Sequence, residues 1–144
     1  MLSATTRYAL RALVNLAGMP EGKSLLGRDL SKIAGIPPNY LSKILWTLGS
    51  AGFIAATRGT HGGYRLQRRP EEVRLIDIVE LFDKARTADG CLLDPDHPCG
   101  EARACAAHDN WKHVKEIYTD FLETTTLAVL VSNAARGPEG GSVL

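Results

Sequence analysis

Nowhere does the sequence run through the ~20 consecutive apolar residues that a membrane-crossing helix needs, so no span is expected. Residues 1–17 lack a basic start leading into an unbroken apolar stretch and lack a small-residue cleavage site, so a cytoplasmic protein is expected. Also missing are a glycine-rich phosphate loop, an H-E-x-x-H pair and a G-x-S-x-G elbow, which argues against an enzyme. His97 and His113 are the candidates for pairing with a reactive cysteine, but an irregular loop and a helix surface suit ordinary solvated histidines better. No segment repeats another. Cysteine is scarce, with three in the chain, and no two stand two to four residues apart as paired zinc ligands usually do.

What is present suits one domain: 144 residues, 44% of them hydrophobic and 23% charged, are enough to close a core. The net charge of +1 hides an asymmetry. Residues 1–74 hold eleven Lys and Arg against four Asp and Glu, a net of +7, whereas residues 75–144 hold six against twelve, a net of −6. Unless this segregation is chance, the first half is built to meet a polyanion and the second to do something else.

Periodicity divides the chain further. Ser3 is placed to cap a helix over residues 3–17, in which Leu10, Leu13, Val14 and Ala17 recur at helical spacing. Gly18, Pro20 and Gly22 interrupt the chain, and a second helix follows over about 26–34, with Leu30 and Ile33 as its apolar side and Gly35 as its stop. Pro37 and Pro38 open a third helix whose Leu41, Ile44, Leu45 and Leu48 fall at i, i+3, i+4 and i+7. Two extended runs, 53–57 and 64–66, are joined by a glycine-rich segment suited to a hairpin tip. A basic stretch (Arg65, Arg68, Arg69) leads to a short helix over 75–82 with Ile78, Val79 and Phe82 apolar. Residues 86–104 show no periodicity. A long helix over 109–123 places Trp111, Val114, Tyr118, Phe121 and Thr125 at alternating three- and four-residue steps, a seam-like pattern. The β-branched run 124–126 breaks it, and Thr126 can cap a last helix over 127–134 before a flexible tail, 137–144.

Helix, helix, short turn, helix and two-stranded hairpin is the order of a winged helix-turn-helix. The fold class is therefore mainly α. The expected divisions are a DNA-binding unit over 1–83, an irregular loop over 84–108, two helices over 109–136 and the tail. A helix fits the major groove of DNA, and its outward polar residues reach base edges. Pro38, Asn39, Tyr40, Ser42 and Lys43 have the right place: Asn and Ser suit base edges, Tyr and Lys suit phosphate. Arg58 and His61, on a wing tip with Gly62 and Gly63, suit a minor groove, where basic side chains meet enhanced negative potential. The plainer readings are that Asn39 caps its helix, that the glycines only turn the chain, and that the winged helix binds protein.

The three cysteines lie together as Cys91-x7-Cys99-x5-Cys105, with His108 three residues further on. Cys105 and His108 are three apart at the start of the long helix, on one face. Three thiolates and an imidazole suit zinc, a two-iron or a four-iron cluster, and a bound metal would order a segment that burial cannot. The wide spacing suits a multi-iron centre better than zinc. Three free thiols in a loop are the plain alternative.

The strings Arg7-Tyr-Ala-Leu10, Gly35-Ile-Pro-Pro-Asn-Tyr-Leu41 and Arg58-Gly-Thr-His-Gly-Gly-Tyr64, followed by three cysteines and a histidine, resemble the IscR/NsrR/RirA family of iron–sulfur repressors over about residues 2–134. The resemblance implies a homodimer joined by a long crossing helix, here 109–123, and a cluster in the loop before it. It also implies that cluster loss, nitrosylation or iron limitation alters binding to a palindromic DNA operator. It makes Cys91, Cys99 and Cys105 ligands. In IscR-like proteins the fourth is a histidine matching His108; in NsrR-like proteins it is an acidic residue of the partner's first helix, and Thr6-Arg7-Tyr8 offers none. The seven-residue first gap, against five in IscR-like proteins, is similar to RirA-like sensors, some with four irons, so a [2Fe–2S] cluster is preferred with [4Fe–4S] as the alternative. Ser42 stands where IscR-like proteins can carry an acidic residue that ties DNA choice to the cluster, so the cluster-free form is expected to bind DNA more readily. A cluster-free regulator of the same fold, using its cysteines as a thiol sensor or a zinc site, is the runner-up.

Overall fold

The computed structural model describes residues 2–83, 90–94, 96 and 99–136, so His97 and the tail expected over 137–144 lie outside the described residues. In chain order the elements are α1 (Ala4–Ala17), α2 (Gly27–Ala34), α3 (Pro38–Ser50), β1 (Ile54–Thr57), β2 (Gly63–Leu66), α4 (Leu75–Asp83), α5 (His108–Thr124) and α6 (Leu127–Ala135). The fold is mainly helical with one two-stranded antiparallel sheet, a winged helix-turn-helix extended by α4, α5 and α6.

Helix α1 is the axis of the core. The Ser3 hydroxyl accepts the Thr6 N–H at 3.1 Å, so the cap reading holds, and Ala9, Ala12, Leu13 and Leu16 are buried against the helices on either side. Alanine on that face lets backbones approach, while each leucine contributes roughly 2 kcal/mol by burial. Helix α2 departs from expectation. Leu30, Ser31 and Ala34 face inward, and Ile33 stands 49% exposed. The Ser31 hydroxyl is affordable inside because it donates to the Ile36 carbonyl at 2.6 Å, tying α2 to the turn before α3. Gly35 makes that turn at φ +61°, the left-handed conformation expected of it. Helix α3 buries Leu41, Ile44, Leu45 and Leu48 as its spacing requires.

In the wing, β1 and β2 pair from Ile54↔Leu66 to Thr57↔Gly63. Leu25, ahead of α2, bridges the other edge of β2: its N–H and carbonyl both bond Tyr64, at 2.9 and 2.7 Å. Gly63 lies at φ +137°, where a Cβ would strike the Leu25 carbonyl. Gly63→Ala is therefore expected to destabilise the protein by at least ~2 kcal/mol, read as a lower midpoint in denaturant.

The second half folds back on the first. The Leu75 N–H donates to the Thr125 carbonyl at 3.0 Å and the Leu127 N–H to the Val73 carbonyl at 2.8 Å, so the α5–α6 junction is stitched to the start of α4. Thr126 takes the N-cap position of α6, with no hydrogen bond from its side chain. Leu127 is fully buried in the same core as Leu13, Ile44 and Ile78. Along α5 the seam divides in two. Tyr118 and Leu122 turn inward onto Leu75 and Val79, while Val114, Ile117 and Phe121 form an exposed apolar stripe, continued by Val129 of α6. The Tyr118 hydroxyl is buried with no partner among the described residues. Burial, and then the Asp83 charge, raise its pKa above the ordinary 10.0. Tyr118→Phe is expected to be neutral or stabilising by up to ~1 kcal/mol in a melting experiment. Relative to Tyr118→Phe, the wild type should lose stability as pH rises past 10.0, because the unfolded phenol ionises first.

Candidate nucleic-acid interface and thiol centre

The start of α3 points its polar side outward. Pro38, Asn39, Tyr40, Ser42 and Lys43 are all exposed. Helix α3 begins at Pro38 with Pro37 at the N-cap position and no side-chain cap bond, so Asn39 is not the cap. Tyr40 packs on Tyr8 of α1, ring centroids 6.2 Å apart, and the Arg11 guanidinium stands 5.7 Å from the centre of the Tyr8 ring. The Ser42 hydroxyl bonds the Pro38 carbonyl at 3.0 Å. Arg58 and His61 are exposed at the wing tip, with Gly62 buried beneath it and Gly63 half-buried against Leu25. The basic count overstates the free charge. Arg68 folds onto Phe53 (4.1 Å to the ring centre) and donates to the Ala51 and Gly52 carbonyls at 2.9 and 3.2 Å. Arg69 pairs with Glu72 at 2.6 Å and Arg74 with Asp77 at 2.8 Å.

At the start of α5, beside His108, the three thiols converge. Their sulfurs lie within 4.8 Å of one another: Cys91 Sγ is 3.4 Å and Cys99 Sγ 3.6 Å from Cys105 Sγ. The His108 Nδ1 is 3.1 Å from Cys99 Sγ. Cys91 is buried and the other three donors are half-buried. The Leu93 N–H, then the Cys105 thiol and the Asp94 N–H, hold Cys91 below the ordinary thiol pKa against its burial. At Cys105 the Ala107 N–H pulls the other way, but the Cys91 thiol, burial and Cys99 leave it raised. Cys91 thus gives up its proton before Cys105. The N-terminus of α5 faces this group and favours the negative charge.

The donors suit a metal. Two thiolates ~2.3 Å from one tetrahedral ion sit about 3.8 Å apart, close to the spacing here; a multi-iron core would need the sulfurs to move outward. Trp111, one turn beyond His108, donates its indole N–H to the Gly90 carbonyl at 2.9 Å and so pins the residue before Cys91 to α5. Trp111→Phe keeps the ring and removes the bond, and is expected to weaken metal binding about tenfold, measured by competition against a chelator.

A family profile described as Rrf2, iron-dependent transcriptional regulator, matches residues 2–133. The chain belongs to the Rrf2 family. It is a transcriptional regulator that binds DNA, not an enzyme. Among Rrf2 relatives, Protein rrf2 of Nitratidesulfovibrio vulgaris is 30% identical over 139 residues, 96% of this chain and 91% of that protein. The HTH-type transcriptional regulator IscR of Vibrio vulnificus is 30% identical over 132 residues, 92% of this chain and 77% of that one. The structure of CymR, the global cysteine regulator of B. subtilis, superposes with a TM-score of 0.77 at 22% identity, covering 92% of this chain and 97% of CymR, and shares the fold. Among the described residues, no helix is long and apolar enough to cross a membrane. Sequence reasoning missed two residues of interest in this Rrf2 protein. Ile117 was hidden because the helix is apolar on two sides, and Trp46 because it stands among polar residues that carry the obvious DNA chemistry; a lone tryptophan on a polar face was the available signal.

Proposed function

We propose that this regulator is a repressor whose operator binding is set by an iron–sulfur cluster on Cys91, Cys99, Cys105 and His108, and that it works in the cytoplasm as a homodimer. The observation that carries the reading is the gathering of three thiols and an imidazole, drawn from residues 91–108, into one donor set. The family description as iron-dependent favours iron. Cys105, bonded to both other thiols, is the centre of the donor set, and His108 ties it to the first turn of α5. A cluster held there would supply one-electron redox chemistry and sensitivity to oxidant, nitric oxide and iron supply.

The chain's own residues do the rest. The exposed stripe Val114, Ile117 and Phe121 supplies the dimer contact. On each protomer Asn39, Ser42 and Lys43 meet the major groove with Pro38 and Tyr40 beside them, while Arg58 and His61 reach the minor groove from the wing that Gly62 and Gly63 shape. A change in the donor set tilts α5 and alters the spacing of the two reading heads, which half-sites about one turn apart require to be fixed. The short sulfur separations favour one second reading, a single-ion or thiol site without sulfide.

Anaerobic purification with iron and sulfide analysis separates them. About two or about four irons, with matching sulfide, are expected per chain; a protein that stays iron-free after reconstitution overturns the cluster and leaves the second reading.

A further inference from the structure

Trp46 stands 75% exposed on α3, one turn beyond Ser42, whereas tryptophan ordinarily buries most of its surface. It edges a shallow cleft of about 600 Å³ between the helix and the wing, lined by Ser42, Gly49 and Ser50 on one side and by Ala55, Ala56 and Tyr64 on the other. A duplex with α3 in its major groove and the wing tip in the adjacent minor groove must pass the strand dividing those grooves between the two elements. This cleft is the space between them. We propose that it seats that sugar–phosphate strand, with the Trp46 indole lying against its deoxyribose.

Three features favour this occupant. The cleft continues the face formed by Asn39, Ser42 and Lys43, and exposed cations, Lys43 and Arg58, flank it on α3 and on the wing. Its lining is small above the buried Leu45 and Ile54: Gly49, Ala55 and Ala56 leave room for a backbone to approach. The indole offers apolar surface where the strand is least polar, at its sugars. A contact to sugar carries no base information, so Trp46 contributes affinity that is neutral to sequence. The inference rests on the DNA-binding reading of α3 and the wing.

The test uses the full-length protein and two fluorescent duplexes of about 30 base pairs, one mixed-sequence and one palindromic, titrated at several salt concentrations. Trp46→Ala is expected to weaken both by about tenfold, which burial of about 60 Å² of indole represents. The salt slope should stay unchanged because no cation is lost. Trp46→Phe should retain most of the affinity, and the DNA-induced change in tryptophan emission expected of the wild type should shrink in it to what Trp111 contributes. Unchanged affinity in Trp46→Ala, or an emission change as large in Trp46→Phe as in the wild type, overturns the proposal while the wild type still binds. A wild type that binds neither duplex at low salt overturns the DNA reading itself.

Discussion

Ile117→Glu is expected to give a folded monomer that has lost most of its operator affinity. Ile117 is 57% exposed between Val114 and Phe121 and fills no part of the core, so the fold has little to lose. In a two-fold dimer the change is made twice, and two carboxylates meet in an apolar seam. An unpaired buried charge costs about 3–5 kcal/mol, so the dimer dissociation constant should rise about a thousandfold or more. Untethering the reading heads should then lower operator affinity by about 10²–10⁴. Sedimentation and an operator titration on the same sample check both steps. A persistent dimer would mean that another surface joins the protomers.

Cys105→Ser should have the next largest effect. Cys105 is the sulfur that both other thiols touch, so its loss removes a donor and the centre of the arrangement together. Metal affinity should fall by more than the roughly 10–100-fold that loss of an outer-shell partner costs. The metal-free melting temperature should hardly change, because the side chain is half-buried in a segment away from the core. Iron per chain after reconstitution and melting of the apo-protein are the two readouts. A variant that keeps its full iron content would remove Cys105 from the site.

Much of the fold was legible because local signals and packing agree in its first half. The Ser3 cap, the left-handed Gly35, the Pro37–Pro38 start and the α3 stripe are each decided by a few neighbouring residues. Ile33 was misread because an eight-residue helix holds few apolar residues, and a buried serine bonded to a carbonyl left no hydrophobic trace. Likewise, periodicity cannot say which of two apolar sides of α5 meets α4 and which stays open. Charge counting cannot know that Arg68 lies along its own chain. The thiol centre was legible as a cluster in sequence, but the pinning role of Trp111 needed three dimensions, since its partner is a backbone carbonyl 21 residues away.

Leu127 of α6 closes against α1 in the same core as Leu13 and Ile78. Contacts between the first and last helices span nearly the whole chain, and such non-local closure slows folding and comes late. During synthesis, α3 therefore has no finished core behind it until α6 has left the ribosome. The three thiols emerge earlier than the body of α5, whose first turn sets His108 beside them, so their grouping belongs to the finished fold and not to the nascent chain. A segment cut after α4 would lack Leu127 and with it part of the packing behind α1, so the winged half does not close its core without the helices that follow it.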